Sequence, residues 1–215
     1  MTTSLTPSAI GYFEKALEVF TKIFGENHIN TAKFYNNIGA AWLGKGEYDK
    51  AITYTERSLD ISIEFLGEDH PDVATDRSNL GLAWQYKREY DKAIEYFEKS
   101  LKSDFKFLGK DHPRVAVTQG NLGLAWLGKR EYDQAIECFE LALESSIKSL
   151  GEGHPTVATI YYNLGSAWEG KGRYDKAIDY FEKSLKSDIN SFGDDHPYII
   201  NTKNRIAKIK SNSSL

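Results

Sequence analysis

The sequence predicts an all-α protein, a solenoid built from antiparallel helix hairpins, and three observations carry that expectation. A short motif returns every forty-two residues along most of the 215-residue chain. Between its copies the apolar residues recur near every 3.6 positions and do not alternate as a strand would. Helix start and stop signals then divide each copy into two segments.

The motif is Leu66-Gly67-Glu68-Asp69-His70-Pro71, and it reappears as Leu108 to Pro113, Leu150 to Pro155 and Phe192-Gly193-Asp194-Asp195-His196-Pro197. A fainter copy, Phe24-Gly25-Glu26-Asn27-His28, is followed by Ile29. The same step links Gly39, Gly81, Gly123 and Gly165. It also links Trp42, Trp84, Trp126 and Trp168; Tyr48, Tyr90, Tyr132 and Tyr174; and Ala51, Ala93, Ala135 and Ala177. More than half the positions agree between the second and third copies, which chance does not produce.

The chain opens on half a repeat, 6–24. Ser8 to Leu17 aligns with Lys92 to Leu101, so this segment is a second helix without its first. The first full repeat, 32–65, turns at Gly44-Lys45-Gly46. The second, 74–107, shows both helices clearly. Val73, Leu80 and Trp84 form the apolar spacing of the first, with Ala74, Gly81 and Ala83 among them, and a proline after His70 suits the first helical turn. The partner helix starts at Glu89-Tyr90-Asp91, with acids near its positive end. It buries Ala93, Ile94, Phe97 and Leu101, and stops at Gly109, expected as a left-handed C-cap. On its outer face Glu95 with Lys99 and Glu98 with Lys102 form i,i+4 pairs, each worth about 0.2–0.5 kcal/mol in an isolated helix, which mark a solvated surface. The third repeat, 116–149, and the fourth, 158–191 with its turn at Gly170-Lys171-Gly172, follow the same plan. A helix over 197–210, rich in Asn, Lys and Arg, reads as a polar cap. One hairpin cannot bury its stripe alone, and stacking supplies the core. The unmatched first half repeat predicts a piece of a longer array, or an open end that a partner covers.

Composition narrows function. The chain is 40% hydrophobic and 27% charged with a net charge of −4, which is globular and lacks the basic excess of a general nucleic-acid binder. No apolar run approaches the roughly 20 residues that span a bilayer, and Met1 to Ser8 has no signal-peptide pattern. The single cysteine, Cys138, permits no internal disulfide. The expected location is cytoplasmic, with neither nucleic acid nor membrane as partner.

On these residues the chain resembles the tetratricopeptide repeat, in the forty-two-residue form of kinesin light chains and related arrays, over about residues 8 to 209. The Gly-x-x-His-Pro linker, the Tyr-Asp-Lys-Ala-Ile helix start and the small residues at Gly39 and Ala51 with their sister copies carry the likeness. The family's aromatic residue falls at Phe97, Phe139 and Phe181, but on Thr55 in the first copy. The resemblance implies a right-handed superhelix whose first helices line a concave, peptide-binding groove. It further implies that an asparagine two residues before the small glycine grips the ligand's main chain: here Asn37, Asn79, Asn121 and Asn163. An amide has donors and an acceptor, so it can pair with an extended backbone without reading sequence. Such a ladder could equally satisfy backbone groups between helices.

Groove positions that vary between copies are the candidates for specificity: Lys33, Asn36, Ala40 and Leu43; Thr75, Ser78, Leu82 and Gln85; Val117, Gly120, Leu124 and Leu127; Thr159, Tyr162, Ser166 and Glu169. Kinesin light chains bring several bases to this groove for acidic peptides. Here only Lys33 and Arg77 stand near it and Glu169 opposes them, so a mixed ligand reading Leu82, Leu124 and Leu127 is as well supported as an acidic one.

Other tempting residues have structural readings. His28, His70, His112, His154 and His196 recur once per repeat, while packed helices sit about 8–10 Å apart, so they are linker residues and not zinc ligands, which must approach within about 2.0–2.3 Å. The four tryptophans take the family's packing position. Cys138 shares its register with Tyr54, Tyr96 and Tyr180, so it is not a nucleophile. Nothing gathers into one asymmetric catalytic pocket, and neither cofactor nor enzymatic activity is expected. The expected function is a protein-interaction scaffold holding a partner's peptide. The alternatives are self-association through the open stripe Ala9, Phe13, Ala16, Leu17 and Phe20, or regulation within a larger multidomain protein.

Overall fold

In the computed structural model residues 9–192 and 196–212 are described. Residues 6–8 of the expected half repeat, and Gly193, Asp194 and Asp195 of the last linker, lie outside them. The described residues form ten helices: α1 (Ala9–Phe24), α2 (Ile29–Gly44), α3 (Tyr48–Leu66), α4 (Pro71–Tyr86), α5 (Tyr90–Leu108), α6 (Pro113–Gly128), α7 (Tyr132–Leu150), α8 (Pro155–Gly170), α9 (Tyr174–Phe192) and α10 (Pro197–Asn212). No strand occurs among them. They fall into two units, residues up to 107 and residues from 108 onward.

Local chemistry explains where each first helix starts. The ring Nδ1 of His28, His70 and His112 accepts the N–H two residues on at 3.1 Å, and that of His154 does so at 3.2 Å. The linker histidines are thus N-caps, each satisfying a helix-start donor that would otherwise lack a partner. A proline at the first helical position completes the signal in α4, α6 and α8. At the other end, Gly67 (φ 82°, ψ 158°) and Gly151 (φ 85°, ψ 155°) close α3 and α7. Their ψ is extended, a region essentially restricted to glycine. Gly109, expected as a left-handed cap, likewise has a positive φ of 79°.

A ring set against a glycine locks each hairpin. A Cβ on Gly81, Gly123 or Gly165 would lie 2.6–2.7 Å from the ring of Phe97, Phe139 or Phe181 respectively. All three rings are fully buried. In the first repeat Thr55 takes the ring's place, and its Oγ1 would still stand 2.3 Å from a Cβ at Gly39. Serine hydroxyls add a polar tie across the hairpin: Ser100 donates to the Ala74 carbonyl at 2.7 Å, and Ser58 Oγ lies 2.9 Å from that of Ala32.

Within the first unit, Ala51, Leu59, Val73 and Leu80 form a buried cluster between α3 and α4. Within the second, Phe139, Ile160 and Leu164 join α7 to α8, and Phe181, Ile206 and Ile209 join α9 to α10. The expected polar cap therefore turns a buried isoleucine face inward.

Two packing expectations are modified. The tryptophans are half-buried and pack against the buried clusters from their edge. Lys50 stands 4.2 Å from the Trp42 ring centroid, Lys92 3.9 Å from that of Trp84 and Lys176 4.0 Å from that of Trp168. Each contact is worth about 0.5–1 kcal/mol at an exposed site. In α1, the residues Phe13, Ala16, Leu17 and Phe20 are half-buried, with the Phe20 ring 4.5 Å from that of Phe34. The side chain of Ala9 is outside the described set. Val19 is 53% exposed, although its register mates Ile61, Ser103 and Ser145 are buried.

Candidate functional site

In the first unit the groove-lining positions fall on α2 and α4, which pack side by side. Asn37 and Lys33 are exposed, while Asn36, Thr75, Ser78, Asn79, Leu82 and Gln85 are half-buried. The ladder amides are therefore accessible and not sealed into the interior. Asn79 is already partly engaged: its Nδ2 donates to Oδ1 of Asn36 at 2.7 Å. One N–H and the carbonyl oxygen of the Asn79 amide are left for another partner. The Thr75 hydroxyl turns back to the Pro71 carbonyl at 3.0 Å.

Lys33, Asn36, Asn37 and Thr75 share a pocket of about 220 Å³ whose floor brings in residues that the sequence reading passed over. Chief among them is Asp76, only 2% exposed. Its carboxylate lies 2.8 Å from Ser62 Oγ, and 3.0 and 3.1 Å from Ser58 Oγ. Burial pushes the Asp76 carboxyl up to about 7, against the pull of the two hydroxyls and with help from nearby Asp72. Ser78, Leu82 and Gln85 lie outside this pocket. Arg77, expected near the groove, instead turns to the preceding linker, where it donates to the Glu68 carbonyl at 2.9 Å and to its carboxylate at 3.0 Å.

In the second unit Asn121 and Asn163 are half-buried on α6 and α8. Leu124 and Leu127, expected to read ligand side chains, are half-buried against the Phe139–Ile160–Leu164 cluster, so they serve the core as well as the surface. Leu127, Ser166 and Glu169 line an open pocket of about 590 Å³ together with Arg130, Arg205 and Lys208. Tyr162 lines a smaller one of about 290 Å³ with Thr159 and Thr202.

Arg205 was not singled out in the sequence, yet it stands one repeat step beyond Asn163, at the ladder's fifth position. Its guanidinium donates to Glu169 at 2.6 Å, to the Tyr162 hydroxyl at 2.8 Å and to Ser166 Oγ at 3.0 Å. It also lies over the rings of Tyr162 and Phe181, at 5.2 and 4.8 Å. Three of the expected groove residues, all on α8, are thus already engaged by α10. Among the described residues no set of three His, Cys, Asp or Glu side chains gathers as metal ligands, and no helix is long and apolar enough to cross a membrane.

Known proteins give a consistent picture. The sequence pattern of the tetratricopeptide repeat matches residues 6–54, 35–104 and 126–188, and a second tetratricopeptide repeat pattern matches residues 78–149. No curated protein is significantly similar in sequence. Among solved structures, BtubC (BKLC) from P. vanneervenii is similar with a TM-score of 0.79 at 20% identity, over 95% of this chain and 83% of that one. A Podosopora anserina protein with nearly identical TPR-like repeats, described as a kinesin light chain, is similar with a TM-score of 0.75 at 19% identity, over 87% of this chain and 89% of its own. The apo form of RapI follows at 0.73 and 21% identity, over 96% of this chain and 78% of its own. These likenesses establish the fold: an all-α array of helix hairpins of the kinesin light chain-like type.

Proposed function

Because the chain belongs to the tetratricopeptide repeat family, we propose that it is a non-catalytic protein-interaction scaffold that holds a peptide segment of a partner against its first helices. The observation that carries this reading is the accessibility of the ladder. Asn37, Asn79, Asn121 and Asn163 recur at one register, and none is buried. A half-buried amide with free donor and acceptor capacity suits an extended main chain, because every residue of a peptide offers one N–H and one C=O. Specificity then falls to the positions that differ between copies, led by Lys33, Asn36, Thr75 and Tyr162. A cytoplasmic setting fits the reading.

The test is the double substitution Asn37→Ala with Asn79→Ala. Loss of two hydrogen bonds to a ligand should weaken peptide binding by about tenfold or more, at about 0.5–1.5 kcal/mol each. Helicity and melting temperature should stay close to the parent. Equal binding by parent and variant overturns the reading. Self-association is the second reading, favoured by the 53% and 66% exposure of Val19 and Ile23 on α1. A strict monomer by light scattering at high concentration removes it.

A further inference from the structure

Sister repeats show what the fold requires at position 76. The same register carries Phe34, Thr118, Ile160 and Thr202. Thr118 and Thr202 are buried, and each returns its hydroxyl to the carbonyl four residues earlier, at 3.1 and 2.8 Å. Either an apolar group or a self-satisfied hydroxyl therefore completes this helix. Asp76 places a carboxylate there instead, at 2% exposure and on the floor of the α2–α4 pocket.

Donor accounting leaves that carboxylate underserved. A serine has one O–H. If Ser58 gives its proton to the Ala32 carbonyl, as Ser100 gives its own to Ala74 one repeat later, then Ser62 is the only donor left to Asp76 among the described residues. Oδ1 then faces the lone pairs of Ser58 at 3.0 Å. No ion pair to Asp76 forms among the described residues, although every burial of an unpaired charge is costly. The neighbouring arginine, Arg77, is committed to Glu68. The charged groups facing the carboxylate are few. Its own helix α4 supplies Asp72, α2 supplies the exposed Lys33, and α3 supplies only the two hydroxyls. One buried carboxylate with two hydroxyls is too few oxygens for a calcium-type ion, which takes about six to eight. The vacant valence suits a cation that brings its own N–H donors.

We infer that the pocket floored by Asp76 is a subsite for one basic side chain, the ammonium of a lysine or the guanidinium of an arginine, carried by the peptide that lies along the first unit. This deepens the peptide-scaffold reading and rests on it. The incoming cation donates to Oδ1, while Asn36 and Asn37 on the pocket wall hold the adjacent main chain. In the free protein the carboxyl, at about 7, is about half protonated near neutrality, and the protonated form can donate to Ser58. The bound cation displaces that proton, so binding of such a peptide releases protons near pH 7.

The experiment selects binders from a displayed library of random peptides on the intact chain, then measures one synthesised binder against variants. Wild-type binders should carry Lys or Arg at one fixed position. Asp76→Thr, which copies the residue at positions 118 and 202, should lower affinity by about tenfold or more, the range of a charge-assisted hydrogen bond. Replacing the peptide's basic residue by norleucine should cost the same on wild type and nothing further on Asp76→Thr. Unchanged circular dichroism, with a melting temperature no lower than that of wild type, excludes a folding cause for Asp76→Thr. Binders that depend on Asn79 but carry no basic residue, or that bind Asp76→Thr equally, overturn the subsite and leave the scaffold reading intact. Binders indifferent to both Asn79→Ala and Asp76→Thr overturn the scaffold reading itself, and an empty selection counts against both.

Discussion

Replacing Asp76 by threonine should make the protein more stable near neutral pH, contrary to the usual effect of a core substitution. The carboxyl has an ordinary value of 3.8 and sits at about 7 in the folded chain, raised first by burial. Because the folded value is the higher one, the native state holds its proton more tightly. Stability is therefore undiminished below about pH 4, is lost as pH rises through the window from about 4 to about 7, and is level above it. Complete ionisation costs on the order of 4 kcal/mol at about 1.36 kcal/mol per pH unit. Threonine removes that cost and returns its hydroxyl to the Asp72 carbonyl, as Thr118 and Thr202 do in their own helices. Against this, Ser62 loses its acceptor, at about 1 kcal/mol. The net gain is about 2–3 kcal/mol at pH 8 and about zero, or slightly negative, at pH 4. Urea unfolding followed by far-ultraviolet circular dichroism at pH 4, 6 and 8 gives the difference directly. In a nearest-neighbour array it belongs to the transition that contains α2 to α4. A difference independent of pH, or a variant less stable than wild type at pH 8, would refute the reasoning.

The remaining predictions concern packing. Gly123→Ala puts a Cβ 2.6 Å from the fully buried Phe139 ring, and should cost about 1–3 kcal/mol of overpacking less about 1 kcal/mol of helix propensity. Adding Phe139→Leu should recover part of the loss, and a Gly123→Ala variant more stable than wild type removes the interlock. Arg130 holds a φ of 64° at the turn where Gly46 and Gly172 stand in sister copies, so Arg130→Gly should raise stability by about 0.5–1 kcal/mol in chemical denaturation. Arg205→Ala removes the bonds to Glu169, Tyr162 and Ser166, and should speed amide exchange in α10 while leaving α6 and α7 unchanged. Equal exchange throughout would show that the isoleucine face alone holds α10.

The hairpins were legible because several independent signals coincide at each boundary. His-Pro starts a helix, a glycine of positive φ ends one, and the 3.6 spacing between them names the buried face. Details escaped where one residue type does a job usually given to another. Histidine is not among the favoured N-cap residues, so the periodic imidazoles read only as linker, although their place just before proline marked the cap position. The tryptophans read as core because their family position is a packing one; the lysines eight residues on, at positions 50, 92 and 176, were the sign of a half-exposed ring. Arg77 seemed close to the groove by count along the helix. Its register mates Tyr35, Gln119 and Tyr161 would have placed it beside the linker side.

Asp76 and Arg205 teach the more general point, because repetition supplies its own control. Where four or five copies agree, the residue is answering to the hairpin: the glycine admits the ring, the histidine caps the helix, and no partner need be invoked. Where one copy departs at a position the others fill cheaply, the fold gives no reason for the departure, and an energetic cost must be balanced elsewhere. At the ladder's fifth step that balance is internal, since the Arg205 guanidinium meets Glu169, Tyr162 and Ser166 within the chain. At position 76 it is not, since among the described residues a buried carboxylate meets two hydroxyls and no cation. The same comparison of registers thus separates a residue that completes the array from one whose cost the array itself leaves unbalanced.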